Sequence, residues 1–163
     1  MHPAAMAAMS AMLKRYTADT AVVLDVGSFN VNGSYRPLIE NKGWQYTGAD
    51  IRPGDNVDIM MPDPDRLPFD DESFDIVISG STMEHVARPW RWLPELARVL
   101  KPGGLLAIVT HWSFKEHRYP CDYWRFMPDG LHLLFDDTAV LEQYDIRVIN
   151  SEDIIGSAFR VVQ

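Results

Sequence analysis

Residues Ala21-Val22-Val23-Leu24-Asp25-Val26 form a nearly continuous, β-branched apolar run that stops at Gly27. A strand with one wet face alternates apolar and polar residues. A run like this one is a strand buried on both faces, as in parallel sheets covered by helices. Similar extended segments follow at 45–50, 56–60, 74–79 and 105–110. Between them lie helical stretches. Residues 35–41 are followed by Gly43, and 90–100 carry Leu93, Leu96, Ala97 and Leu100 at helical spacing before Pro102-Gly103-Gly104. Residues 128–135 form a further helix with Pro128 in its first turn, and 144–150 and 156–162 read as extended. Strand and helix alternating in this way predict an α/β fold, a doubly wound and mostly parallel sheet with helices on both faces.

Composition narrows the class. The chain has 163 residues, 47% apolar and 23% charged, close to an ordinary globular domain. There is no internal repeat and no linker-like shift in composition, so 1–163 is read as a single domain. Residues 1–18 are expected to form an N-terminal helix, rich in Ala and Met. The pair Lys14-Arg15 follows that apolar stretch instead of preceding it, the reverse of a secretory signal. No apolar run approaches the roughly 20 residues of a membrane span. The single cysteine, Cys121, excludes an internal disulfide and fits a reducing, cytoplasmic setting. A net charge of −8 disfavours nucleic acid as a partner. The spacing of His111, His117, Cys121 and Asp122 matches no compact ligand motif, so no metal is expected.

Ligands of open α/β sheets bind at the carboxyl ends of the strands. That edge carries Asp25, Gly27 and Ser28, then Asp50 and Ile51, then 58–63, then Ser79, then His111 and Trp112. An acidic residue ending the second strand can accept two hydrogen bonds from a ribose diol, because a carboxylate is an acceptor only. A glycine after the first strand admits a ligand close to the backbone. Each feature alone also suits an ordinary turn; Asp25, Gly27 and Asp50 together point to a nucleoside site.

The sequence resembles the class I S-adenosylmethionine-dependent methyltransferases, a Rossmann-like superfamily. The blocks carrying the resemblance are Val23 to Ser28, Tyr46 to Asp50, Leu67 to Val77, Met83-Glu84-His85-Val86 and Leu96 to Gly104, in family order. The resemblance implies seven strands with the last antiparallel, and methyl transfer from S-adenosylmethionine. It makes 21–110 the cofactor-binding half and 111–163 the substrate-side loop and terminal strands. It also implies Gly27 and its neighbours beside the methionine end, Asp50 on the ribose hydroxyls, Ile51 on the adenine and Asp63 on the adenine amino group. Pro64 removes a backbone donor next to Asp63, which leaves Asp58 and the Met60-Met61 backbone as competitors. The first loop departs from the pattern, with Phe29 and Val31 at two glycine positions and Gly33 later. Asn30 or Asn32 is expected to take the positive-φ turn. The alternative outcome is a pocket narrowed by Phe29.

Six of the 18 aromatic residues fall between His111 and Phe126, among them Trp112, Tyr119, Tyr123 and Trp124, with Arg125 interleaved. Aromatic faces with a few polar groups suit a small-molecule acceptor and sugar rings; the same residues would also cap a core. His85, His111 and His117 are candidate bases, since histidine titrates near neutrality. The expectation is methyl transfer to a small-molecule acceptor, a carbohydrate or a lipid-linked intermediate. The rival is a non-catalytic protein of the same fold, acting as partner subunit or ligand sensor. Oligomeric state is left open, a homodimer included.

Overall fold

In the computed structural model, which describes residues 3–162, the elements alternate as the apolar runs predict. In chain order they are α1 (Pro3–Leu13), β1 (Val22–Val26), α2 (Arg36–Glu40), β2 (Gln45–Asp50), β3 (Ile59–Met60) and β4 (Phe74–Gly80). A 3-10 turn (Met83–His85) precedes α3 (Pro89–Val99) and β5 (Leu100–His111), then α4 (Pro128–Asp136), β6 (Leu141–Val148) and β7 (Asp153–Arg160). The expected N-terminal helix ends at Leu13, five residues short; its first two residues lie outside the described ones. Pro102-Gly103-Gly104, expected only to stop α3, is carried within β5. The pairing jumps from Phe74 opposite Leu100 to Ile76 opposite Leu105, so the Pro-Gly segment loops out of register.

The seven strands follow the order β3-β2-β1-β4-β5-β7-β6. All pairs from β3 to β5 are parallel, and β7 runs antiparallel between β5 and β6. The chain direction across the sheet reverses between β1 and β4, which opens a crevice at their carboxyl ends.

Because strand residues alternate sides, each central strand feeds two cores. Leu24, Val26 and Val77 face the layer of α3 and α4, packing with Trp92, Leu93, Leu131 and Phe135. Val23, Ile76 and Ile78 face α1 and α2, packing with Met9, Leu13 and Ile39. Two of the motif blocks, 67–77 and 96–104, hold each other. Arg98 on α3 donates to the carbonyls of Phe69 (2.9 Å) and Leu67 (3.1 Å) and pairs with Asp71 (2.6 Å).

Candidate functional site at the carboxyl edge

A cavity of about 450 Å³ opens at the crevice, within the roughly 300–1,000 Å³ typical of small-molecule sites. One wall comes from the ends of β1 and β2. Asp25, Gly27, Ser28, Phe29, Asp50 and Ile51 all line it. The facing wall comes from the 3-10 turn and the loop after β5, through His85, His111, Phe114, His117, Tyr119 and Tyr123.

Asp50 is 8% exposed. Its Oδ2 accepts the Phe29 N–H at 3.2 Å and its Oδ1 the Arg52 N–H at 3.0 Å. Each carboxylate oxygen has a second acceptor site, so two donors from a diol remain accommodated. Ile51, 41% exposed, offers a flat apolar shelf next to it.

Asp25 is buried, and its Oδ2 accepts the Tyr46 hydroxyl at 2.6 Å. Burial pushes its carboxyl up to about 7; the Tyr46 hydrogen bond and the Arg36 guanidinium pull the other way, and the Asp50 charge adds to the rise. Tyr46 is itself raised by burial and by Asp25.

The first loop is shaped differently from the expectation. Gly27 (φ 81°) and Gly33 (φ 124°) take the positive-φ positions, whereas neither Asn30 nor Asn32 does. Asn30 instead accepts the Gly33 N–H through its side chain at 2.8 Å and donates to Asp55 at 2.9 Å. The need for glycine at 27 is set by the protein itself, since a Cβ there would lie 2.1 Å from the Thr82 hydroxyl. The Phe29 ring turns toward Gly54, whose added Cβ would sit 2.2 Å from it, and lies under the Arg52 guanidinium. It forms one side of the cavity and leaves the centre open.

Several expected residues stand off the cavity. Ser79 is buried in the sheet, its hydroxyl donating to the Val26 carbonyl at 2.6 Å; Gly80, Ser81 and Thr82 reach the wall in its place. Asp63 is exposed and accepts the Asp65 N–H at 2.9 Å, because the proline-rich loop turns its carboxylate back on its own backbone. Asp65 lines the cavity instead, paired with Arg88 at 2.7 Å. Asp58 is taken up by Arg36 and the Gly48 N–H. Trp112 packs on the core and donates to the Asn150 carbonyl. Trp124 packs edge-on against Trp90 and donates to the Val86 carbonyl.

Arg125 acts as a staple. It pairs with Asp122 through both nitrogens (2.6 and 2.8 Å) and donates to the Phe114 carbonyl at 3.0 Å. The guanidinium holds the Asp122 carboxyl below the usual carboxylate range, and Asp122 accepts the His117 N–H at 2.7 Å. The histidine wall is thereby fixed to the loop backbone.

All three expected histidines reach the cavity. His111 is buried, with Nδ1 2.9 Å from Asp153 Oδ1 and Nε2 3.3 Å from Glu84 Oε1. Burial works to lower its pKa; the two carboxylates outweigh it and raise it above the ordinary value. Sequence reasoning missed Glu84, which is fully buried, and Asp153. The signal for Glu84 was present, a charged residue between apolar Met83 and His85 in a motif block.

A seven-stranded doubly wound sheet with an antiparallel β7, and a carboxylate at the end of β2 facing a crevice cavity, defines an α/β domain of the class I methyltransferase kind. Residues 24–108, just over half of the chain, match the methyltransferase domain family, and the chain belongs to it. Among curated relatives, it is 33% identical over 115 residues to a 2-methyl-6-phytyl-1,4-hydroquinone methyltransferase of Synechocystis, covering 63% of this chain and 36% of that protein. It is 34% identical over 102 residues to a methyltransferase of Mycolicibacterium gilvum, covering 55% and 39%. The chain thus spans little more than a third of the length of these relatives. In fold it is similar to the Burkholderia thailandensis 1,6-didemethyltoxoflavin-N1-methyltransferase, solved with 1,6-didemethyltoxoflavin and S-adenosylhomocysteine. That match has a TM-score of 0.77 at 19% identity and covers 97% of this chain and 79% of the other. No helix among the described residues is long and apolar enough to cross a membrane.

Proposed function

We propose that the protein transfers the methyl group of S-adenosylmethionine to a small-molecule acceptor. The observation that carries this reading is the Asp50 carboxylate, ordered by two backbone N–H groups at the end of β2 and facing the same cavity as an aromatic and histidine wall. When bound, S-adenosylmethionine supplies a methyl group already activated by its sulfonium. What this chain adds is alignment and exclusion of water. Asp50 would hold the ribose hydroxyls, Ile51 would underlie the adenine, and Asp25 with the Gly27 backbone would face the charged methionine end. Phe114, Tyr119 and Tyr123 would hold the acceptor, and His85, His111 and His117 would surround its nucleophilic atom.

Aromatic faces beside polar groups suit a sugar ring, so the acceptor is proposed to be a carbohydrate or a lipid-linked saccharide. The expected test result is one-site binding of S-adenosylhomocysteine, and label from methyl-tritiated S-adenosylmethionine in saccharide acceptors but not in nucleic acid. A second reading, a cofactor-binding partner or sensor, is favoured by Phe29 and Val31 on the cavity wall where the family pattern has glycine. Cofactor binding without turnover on any acceptor would support it.

A further inference from the structure

We propose that Glu84, His85 and His117 bind a divalent transition-metal cation on the acceptor side of the cavity. One ligand atom from each of Glu84, His85 and His117 falls within 4.8 Å of the other two, although the residues are scattered over two segments of the chain. Sequence spacing hid this set, because β5 and the loop after it bring His117 back over the 3-10 turn.

The hydrogen bonds fix how each imidazole is used. His85 Nδ1 lies 2.5 Å from the Cys121 carbonyl, which can only accept, so that nitrogen carries the proton. His117 Nδ1 faces the Lys115 carbonyl at 3.3 Å and Asp122 Oδ2 at 3.4 Å, again acceptors only. His111 Nδ1 faces Asp153 at 2.9 Å. All three rings therefore turn Nε2 away from their backbone or carboxylate anchors. Metal-binding histidines show this arrangement, the remote nitrogen tied to a carbonyl or carboxylate and the near one left to the ion.

Glu84 completes the set. Its Oε2 accepts the Thr110 hydroxyl at 2.8 Å, while Oε1 is buried and accepts no hydrogen bond among the described residues. That oxygen stands 3.3 Å from His111 Nε2 and 3.9 Å from His85 Nε2. With the proton on Nδ1, the Nε2 lone pairs of His85 and His117 and the Oε1 of Glu84 are three donors within reach of one cation. A cation satisfies these three together, whereas a proton on His111 reaches Glu84 Oε1 and leaves His85 and His117 out. Imidazole nitrogens with one carboxylate select zinc, iron, cobalt or nickel over magnesium or calcium. The cavity side leaves positions open for an acceptor oxygen. Coordination there would lower the pKa of an acceptor hydroxyl, whose proton leaves to water. This last role rests on the methyl-transfer reading; cation binding does not.

The test uses the full chain stripped of metal by chelator and titrated with Co²⁺, read by calorimetry and by the visible band of the ion. The expected result is saturation at one equivalent, with at least about tenfold weaker binding in His117→Ala and in Glu84→Gln. His117→Ala lies in a loop outside the sheet and carries the test if Glu84→Gln does not fold. No saturable binding, or binding unchanged in His117→Ala, overturns the site. S-adenosylhomocysteine affinity of the stripped protein, measured in parallel, is expected to be unchanged and reports on the cofactor site separately. Full methyl transfer by the stripped protein overturns the role given to the cation.

Discussion

The Tyr46 hydroxyl donates a 2.6 Å hydrogen bond to the carboxylate of Asp25, so the acid at the end of β1 is tied to β2 behind the glycine loop. Asn56 extends the link, donating to the Tyr46 oxygen and to the Ser28 carbonyl, both at 2.8 Å. Arg36 closes it from outside, its guanidinium over the Tyr46 ring and its Nε donating to Asn56. The loop that departs most from the family pattern is thus held from behind by side chains instead of by successive glycines.

Because burial lifts the folded-state pKa of Asp25 to about 7, its contribution to stability is full below the unfolded value near 4 and is lost as pH rises through 7. Asp25→Asn removes this titration. The stability of the variant relative to the natural chain is expected to rise by about 2–3 kcal/mol from pH 5 to pH 8, read from urea unfolding at each pH. An equal pH dependence in both chains would show that Asp25 is already ionised at pH 5. A cationic ligand beside Asp25 favours its ionised form, so affinity for S-adenosylmethionine is expected to increase from pH 5.5 to 7.5, and to do so less in Asp25→Asn.

Gly27→Ala is expected to lower the melting temperature, since the new methyl would overlap the Thr82 side chain and φ of 81° is strained for alanine. Thr82→Ala in the same chain relieves the overlap but not the strain. Partial recovery of the melting temperature in the double variant is the expected outcome, and none would place the whole cost in the backbone.

Arg125→Ala removes the staple from Asp122 and from the Phe114 and Lys115 carbonyls. Loop 112–127 should then exchange its amide hydrogens faster while β1, β2 and β4 remain protected. On the proposed function, the KM for the acceptor rises and the affinity for S-adenosylhomocysteine stays within about twofold, since surface-side changes far from a contact cost within about 0.5 kcal/mol. Weakened cofactor binding in this variant would contradict the division of the cavity into two walls.

The layout of the sheet was legible because both-face burial writes itself as continuous apolar runs, and each run from 22 to 110 became a strand within a few residues. The β1–β2 wall of the cavity was legible for the same reason: Asp25, Gly27, Asp50 and Ile51 sit at strand ends, where position along the chain dictates position in space. The facing wall depends on how one irregular loop folds back. Nothing in the spacing of Trp112, Trp124 and Arg125 shows that they brace the loop while Tyr119 and Tyr123 face the cavity. Glu84 and Asp153 escaped because their meaning lies in contacts with His111 across 27 and 42 residues of chain. Asp63 was misplaced by a local turn, in which its carboxylate satisfies the Asp65 N–H two residues on.

The most direct measurement is a calorimetric titration of S-adenosylmethionine and S-adenosylhomocysteine into the natural chain and into Asp50→Ala. One site per chain is expected in the natural protein, with affinity weakened in the variant by about 1.5–3 kcal/mol, the worth of a charge-assisted hydrogen bond. Absence of binding by the natural chain, or equal affinity in both, would contradict the account.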